Sequence, residues 1–141
     1  MFHNPSAEVR KKLLTETKNI AVVGLSDKPE RTSYLIAQAM QQAGYRIFPV
    51  NPMLKKEVLG EKPYANLKEI AEPIDIVNVF RRSEFVPPIA EEAVAIGAKA
   101  LWLQQRVYHE EAANHAIQNG LIVVMDLCIK VDHALQMGKN G

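Results

Sequence analysis

The chain has 141 residues, of which 48% are hydrophobic, and this is enough for one core in a single domain spanning 1–141. Its 17 basic and 16 acidic residues are mixed along the sequence and leave a net charge of +1, which argues against the basic face of a nucleic-acid-binding protein. The one cysteine cannot form an internal disulfide, and neither a signal peptide nor an apolar run of about 18 residues is present. We therefore expect a soluble, cytoplasmic protein that binds neither nucleic acid nor membrane.

The first half of the sequence predicts a leader helix followed by a strand, a helix and a second strand. The apolar run 20–23 is unbroken and stops at Gly24, as a strand buried on both faces does. Charged residues and the breakers Gly60 and Pro63 make 53–64 a surface connection. The predicted elements are a helix over 7–18 capped by Ser6, a strand over 20–23, a loop over 26–33, a helix from Tyr34 to Ala43 and a strand over 45–50.

The second half repeats the alternation of strand and helix. Glycines follow two of the amphipathic stretches, at Gly97 and Gly120, as expected after helix ends. The predicted elements are a short helix over 67–71 capped by Asn66, a strand over 74–80, a helix capped by Ser83 and closed at Gly97, a strand over 100–103, a helix over 108–119, a strand over 121–125 and a last helix over 128–135 before a frayed tail at 137–141.

Strands that alternate with helices pair in parallel through right-handed crossovers. The sequence therefore predicts an α/β, Rossmann-like three-layer fold, in which a five-stranded parallel sheet of order 3-2-1-4-5 carries helices on both faces and the core covers about 15–135. Ligands of such folds bind beyond the carboxyl ends of the strands, here at the switch between the first and fourth strands. The predicted strand ends are Gly24–Ser26, Asn51–Pro52, Phe80–Arg82, Gln104–Gln105 and Asp126.

The turn after the first strand differs from the dinucleotide fingerprint. The frame of G-x-G-x-x-G begins at Gly24, but Ser26 and Pro29 stand where the second and third glycines belong, which disfavours NAD. The stretch 44–56 contains no acidic residue that could bind ribose hydroxyls and has Lys55 and Lys56 instead. An extra phosphate suits these cations, as in NADP or in the 3′-phosphorylated ADP of coenzyme A.

Four short motifs give the chain a resemblance to a known family. Ala21–Ser26, Val50–Pro52, Val124–Asp126 and Cys128–Lys130 resemble the small stand-alone CoA-binding domain proteins, and the resemblance covers about 15–135. This family is similar in fold to the CoA-binding domain of the succinyl-CoA synthetase α subunit and of NDP-forming acyl-CoA synthetases. The resemblance implies that the ligand is coenzyme A or an acyl-CoA.

The resemblance also implies where the ligand lies. The loop after Gly24 would hold phosphate, the end of the second strand with the lysines beyond it would lie by the adenosine end, and the third and fourth strands would pack on the ligand. The expected site residues are Gly24, Leu25, Ser26, Lys28, Arg31, Thr32, Ser33, Val50, Asn51, Pro52, Lys55, Lys56, Phe80, Arg81, Trp102 and Gln104.

Catalytic residues are not expected in this chain. The larger synthetases use a phosphorylated histidine outside this domain, and the four histidines here do not match it; His109 stands where relatives would have a capping asparagine. The favoured hypothesis is a non-catalytic CoA-binding module without a metal. The alternatives are a subunit of an NDP-forming acyl-CoA synthetase, an NADP-dependent reductase, or a sensor that passes CoA status to a protein partner.

Simpler explanations of the same residues remain open at this level. The loop after Gly24 could be an ordinary strand-to-helix turn. Cys128 could exchange with the CoA thiol or pack as a small apolar residue. Val50–Pro52 could be a plain turn, Arg81 and Arg82 could be solvated, and Trp102 could lie in the core. Asp126 could cap the last helix, with Lys130, Asp132 and His133 on the outer face of that helix.

Overall fold

A computed structural model describes residues 1–138 and contains a five-stranded, all-parallel sheet between two layers of helices. None of the described helices is long and apolar enough to cross a membrane. The elements are α1 (Ala7–Glu16), β1 (Asn19–Val23), α2 (Thr32–Gln42), β2 (Arg46–Val50), β3 (Ile76–Val79), α3 (Val86–Ala95), β4 (Ala100–Leu103), α4 (Glu110–Gln118), β5 (Ile122–Val124) and α5 (Ile129–Met137), with short 3₁₀ turns at Leu67–Glu69 and Ser83–Phe85.

The predicted α/β fold with helices on both faces of a parallel sheet is confirmed, but the predicted strand order is wrong. The observed order is β2-β1-β3-β4-β5, so β3 pairs with β1 and not with β2. The outer edge of β2 is occupied by Tyr64, whose N–H donates to Pro49 O at 2.9 Å and whose carbonyl accepts from Asn51 N at 2.8 Å. Pro49 has no N–H to donate on this edge, and the pairing consists of one bridge. The topological switch therefore lies between β1 and β3, not between the first and fourth strands.

Alternate residues of β1 enter two separate cores. Ala21 and Val23 pack in the core beneath α3 and α4, whereas Ile20 and Val22 pack in the core beneath α1, α2 and α5. All four side chains are at most 6% exposed. The unbroken apolar run of the sequence therefore reflects a central strand that is covered on both faces.

The helix starts follow the predicted caps only in part. Ser6 Oγ accepts from Val9 N at 3.3 Å, which confirms the cap of α1. His109 caps α4 through Nδ1, which accepts from Ala112 N at 3.1 Å. The helix predicted over 67–71 is only a 3₁₀ turn, and Ser83 does not cap α3 because its Oγ accepts from Tyr108 N at 3.0 Å.

Asp75 ties together the amino ends of the sheet, opposite the predicted ligand edge. Its Oδ2 accepts from the N–H groups of Lys18 at 2.9 Å and Asn19 at 3.0 Å, and its Oδ1 lies 3.4 Å from Lys99 Nζ. Burial raises the pKa of this carboxyl, but the two backbone donors and the charge of Lys99 outweigh burial and hold the pKa below its usual value.

The N-terminal segment lies at the β5 edge of the sheet. Asn4 Nδ2 donates to Met125 O at 2.9 Å and Asn4 Oδ1 accepts from Met125 N at 2.8 Å, so one side chain satisfies a backbone pair just after β5. Arg10 Nε donates to Asp132 Oδ2 at 3.1 Å, and the Asp132 side chain is only 5% exposed. The sequence predicted Asp132 on the outer face of α5, but the structure shows it as half of a buried ion pair.

The start of α5 also differs from the prediction. Asp126 Oδ1 accepts from Arg106 N at 2.6 Å, and α5 begins after Cys128, whose side chain makes no capping bond. The frayed tail predicted for 137–141 falls mostly outside the described residues.

Candidate ligand-binding cleft

Three adjoining cavities open at the carboxyl ends of the strands. We call them the loop cavity, of about 380 Å³, the α3 cavity, of about 270 Å³, and the β4 cavity, of about 570 Å³. Thr32 and Phe80 line both the loop and β4 cavities, and Arg81 lines both the α3 and β4 cavities. The cavities thus form one branched cleft across the ends of β1, β2, β3 and β4.

Gly24 begins the loop cavity and is required there by two constraints. Its φ is +88°, and a Cβ at this position would lie 2.6 Å from Phe80 O. The backbone cannot move aside easily, because Gly24 N donates to Val50 O at 2.8 Å while Phe80 N donates to Val23 O at 2.8 Å. The glycine therefore allows the ends of β1 and β3 to approach closely and leaves room above them.

The loop between Gly24 and α2 is held by its own hydroxyl groups. Ser26 N donates to Ser33 Oγ at 3.0 Å, and Lys28 N donates to Ser26 Oγ at 3.1 Å. Both oxygens are acceptors in these bonds, so each hydroxyl keeps an O–H that can donate to a ligand.

The N-terminus of α2 faces this cavity without a competing anion. Arg31 makes no side-chain cap, and the first turn contains no acidic residue. The first helical bond runs from Leu35 N to Arg31 O, so the N–H groups of Thr32, Ser33 and Tyr34 have no partner within the helix. With Lys28 and Arg31 among the lining residues, the loop cavity has the donors, the helix dipole and the charge that favour a phosphate.

Asn51 acts inside the protein at the end of β2. Its Nδ2 donates to Leu25 O at 3.1 Å and its Oδ1 accepts from Met53 N at 2.9 Å. It therefore joins the loop that follows β1 to the loop that follows β2. The Leu25 side chain is fully buried, so it supports this loop from below and does not line a cavity.

The residues that follow β4 supply polar groups to the cleft, and Gln104 is the most buried of them. Gln104 is 5% exposed, and its Oε1 accepts from Asn78 Nδ2 at 3.4 Å and from Ile129 N at 3.3 Å. Trp102 is fully buried and donates Nε1–H to Leu127 O at 3.0 Å, which agrees with the core position considered for it. Cys128 is partly exposed and lines the β4 cavity.

The structure brings together most, but not all, of the residues predicted at the ligand. Lys55 and Lys56 are exposed on the loop after β2 and line none of the three cavities. Together with Leu25, Asn51 and Trp102, they are the predicted residues outside the cavity walls. The predicted residues that line the cavities are Gly24, Ser26, Lys28, Arg31, Thr32, Ser33, Val50, Pro52, Phe80, Arg81 and Gln104.

Sequence reasoning missed one side of the α3 cavity. Phe85 and Ile89 come from the start of α3, and the Arg81 guanidinium lies 4.7 Å from the Phe85 ring centre. Glu92 accepts from Leu67 N at 3.0 Å, which holds the 3₁₀ turn against α3. Asn66 Oδ1 is buried and has no hydrogen-bond partner among the described residues. The prediction of Asn66 as a helix cap was the one sequence signal in this region.

Within residues 1–138, no cluster of three or more His, Cys, Asp or Glu side chains could hold a metal ion. The cleft offers hydrogen-bonding groups, cations and apolar walls to a ligand. Its basic residues are Lys28, Arg31, Arg81, Arg82 and Arg106, against the single carboxylate of Glu92.

Known proteins similar to this chain fall into a short and a long class. The uncharacterized protein YneT of Bacillus subtilis is 54% identical over 134 residues, which are 95% of this chain and 98% of YneT. The solved structure of a hypothetical protein from Pyrococcus horikoshii OT3 is similar with a TM-score of 0.91 at 33% identity, and the match covers 98% of this chain and 99% of that one. The subunit alpha of the ADP-forming acetate–CoA ligase I of Pyrococcus furiosus is 32% identical over 93 residues, which are 62% of this chain and 20% of the subunit.

The family comparison covers nearly the whole fold. Residues 18–134, from the start of the sheet to α5, match the family model described as CoA binding domain. This confirms the resemblance found in the sequence motifs, since the match includes both the Gly24 loop and the end of β5. The chain belongs to the CoA binding domain family.

Proposed function

We propose that this domain binds coenzyme A or an acyl-CoA in the branched cleft and does not itself catalyse a reaction of the ligand. The observation that carries the proposal is the loop cavity, where unpaired N–H groups of α2, two hydroxyl groups and two cations surround the end of a buried strand. The pyrophosphate of CoA has the charge and the acceptor oxygens that such a site requires.

The rest of the cleft suits the other parts of the same ligand. The α3 cavity lies by the ends of β1 and β2, where a mononucleotide extends from its phosphate in folds of this type. The β4 cavity leads away on the other side, past Gln104 and Cys128, and gives the pantetheine arm a partly apolar wall. We place the 3′-phosphate near Lys56 or Lys55, because these exposed cations follow β2 and no carboxylate lies between Gly44 and Lys56.

A second candidate is a subunit of an acyl-CoA synthetase, and the similarity to acetate–CoA ligase subunits supports it. This chain spans only 15% and 20% of those relatives, so the role would need a partner chain that supplies the other domains. Co-purification of the tagged protein with a nucleotide-binding subunit would support this role. A monomeric or self-associated protein that still binds CoA supports the simple module.

Isothermal titration distinguishes CoA from the competing nucleotides. We expect CoA and acetyl-CoA to bind more tightly than NADP⁺ and NAD⁺, because the loop lacks the second and third glycines that allow a dinucleotide pyrophosphate to lie against the backbone. Tight binding of NADP⁺ without binding of CoA at millimolar concentration would replace the proposal with a reductase. Mass spectrometry of any small molecule that co-purifies gives an independent answer.

A further inference from the structure

The β4 cavity carries positive charge that the protein does not neutralise. Arg82 and Arg106 line it, Arg81 lies on the wall that it shares with the α3 cavity, and no carboxylate is among the lining residues. None of the three guanidinium groups has a carboxylate oxygen of residues 1–138 within 4.0 Å. The cavity therefore lacks a counter-ion from the described part of the chain.

Two hydrogen bonds join the loop after β3, which contains Arg82, to the loop after β4, which contains Arg106. Gln104 N donates to Val79 O at 3.2 Å, and Tyr108 N donates to Ser83 Oγ at 3.0 Å. Each of the joined loops contributes one arginine to the same cavity. Like charges held in this way repel each other, and an anion bound between them removes that cost.

The backbone at Arg106 has a conformation that favours glycine. Val107 N donates to Gln104 O at 2.8 Å and closes a turn, in which Arg106 is the third residue and has a φ of +73°. Asp126 Oδ1 accepts from Arg106 N at 2.6 Å and fixes the turn from the end of β5. Such strain persists where neighbouring groups enforce it, and it concentrates at binding sites. An arginine thus stands beside the cavity at a position where the backbone alone would select glycine.

CoA itself brings no anion to this cavity under the proposed function. Its pyrophosphate is placed in the loop cavity and its 3′-phosphate near Lys55 or Lys56, while the pantetheine arm placed in the β4 cavity is neutral. The missing negative charge therefore has to be carried by a group attached to the CoA thiol.

A buried amide offers a further donor at the same place. Gln104 is only 5% exposed, and its Oε1 accepts from Ile129 N and Asn78 Nδ2. Its Nε2 donates to no acceptor in residues 1–138, and Gln104 lines the β4 cavity. A carbonyl or carboxylate oxygen of a ligand can accept from this group.

We propose that the β4 cavity selects an acyl-CoA whose acyl group ends in a carboxylate, which Arg82 and Arg106 bind. The inference rests on the proposed function, because it names the acyl class for the arm assigned to this cavity. Guanidinium groups match a carboxylate in charge and in donor geometry. Ile36, Phe80 and Val107 give an apolar wall to the methylene groups before the carboxylate, and about 570 Å³ is enough for a short acyl chain.

Isothermal titration with matched pairs of esters tests the selectivity. In one pair malonyl-CoA is compared with 3-methylbutanoyl-CoA, and in the other glutaryl-CoA is compared with 5-methylhexanoyl-CoA, so two methyl groups replace the two carboxylate oxygens. We expect the carboxylated ester of at least one pair to bind about ten-fold more tightly than its neutral partner. Equal affinities in both pairs, or tighter binding of the neutral esters, would overturn the inference.

Variants of the two arginines test which groups carry the preference, measured as the ratio of affinities within a pair. Arg82→Gln and Arg106→Gln should each lower this ratio about three-fold or more. The matched control Lys12→Gln removes one exposed charge from α1, outside the three cavities, and should leave the ratio unchanged. A ratio that is the same in all three variants would contradict the assignment.

The variant Arg106→Gly separates the charge of this residue from a structural role. It should lower the ratio as Arg106→Gln does, and it should keep or raise the melting temperature, because glycine adopts a positive φ without strain. A lower melting temperature would show that the arginine is needed for stability and would contradict the reasoning from backbone strain.

Free anions distinguish an acyl carboxylate from a separate ligand. Phosphate and glutarate are titrated into the protein saturated with CoA. If either binds while the matched esters show no preference, the cavity holds an independent anion and the inference fails. Binding of CoA with equal affinities in both pairs overturns the inference alone, whereas absence of binding by CoA and by every ester overturns the proposed function as well.

Discussion

Replacing Gly24 with alanine tests whether close approach of β1 and β3 shapes the loop cavity. The substitution has two separate costs. At φ +88° an L residue is strained by about 1–2 kcal/mol, and the new Cβ meets Phe80 O at 2.6 Å, which adds about 1–3 kcal/mol of overpacking. Gly120 has almost the same φ, +90°, but a Cβ there has no atom within 4 Å, so Gly120→Ala has only the first cost.

Urea denaturation of both variants measures the difference. We expect the free energy of unfolding to fall by about 1–2 kcal/mol for Gly120→Ala and by about 2–5 kcal/mol for Gly24→Ala. Only Gly24→Ala should lose affinity for CoA, because its methyl group would displace Phe80, which lines the loop cavity. If the two variants lose equal stability, the approach of the strands does not constrain position 24, and the geometric reason given for this glycine is wrong.

Three further predictions concern the ligand and two carboxylates. Lys56→Ala should weaken CoA more than dephospho-CoA in titration calorimetry, by about 1.5–3 kcal/mol, whereas Arg31→Ala should weaken both ligands equally, since only Lys56 is proposed to meet the 3′-phosphate. Equal losses of affinity for CoA and dephospho-CoA in Lys56→Ala would refute this placement. Arg10→Met should cost about 3–5 kcal/mol in urea denaturation, because it leaves Asp132 buried without its cation at 5% exposure, and the double variant Arg10→Met/Asp132→Leu should recover most of that loss. A single-variant cost near zero would show that Asp132 is solvated. The depressed pKa of Asp75 contributes stability that is complete above about pH 4 and is lost as the pH falls through that lower pKa, so the advantage of the wild type over Asp75→Asn should shrink at acid pH; parallel stability profiles would contradict this.

The sequence predicted the elements of the sheet well, because burial on both faces leaves apolar runs that end at glycine or charge. The run 20–23 became β1 almost without change, and 100–103 became β4. Strand order was wrong because the pattern of strands and helices does not say on which side of β1 the chain returns. A single bridge at Tyr64 lies beside β2, where the sequence predicted β3, and one bridge has no periodicity to detect.

The candidate site was predictable where it depends on consecutive residues. The loop from Gly24 to Ser33 joins one strand to one helix, so its hydroxyls, cations and helix N-terminus come together whatever the strand order. The α3 cavity was not predictable, because Asn66 and Glu92 are 26 positions apart and meet only when the 3₁₀ turn packs on α3. Trp102 does not line the cavities, because all four side chains of β4 are fully buried and this part of the chain reaches the β4 cavity only through residues that follow the strand.

The two edges of the sheet end in the same manner, and this determines how much unpaired backbone they offer to another chain. At the β2 edge, Tyr64 hydrogen-bonds to the carbonyl of Pro49 and the N–H of Asn51. Just after β5, the Asn4 amide hydrogen-bonds to both backbone groups of Met125. Unpaired outer strands are templates on which another chain can add and begin aggregation. Both edges are thus paired beside the cleft, so removal of the first four residues or replacement of Asn4 frees the backbone groups just after β5 for pairing with another chain.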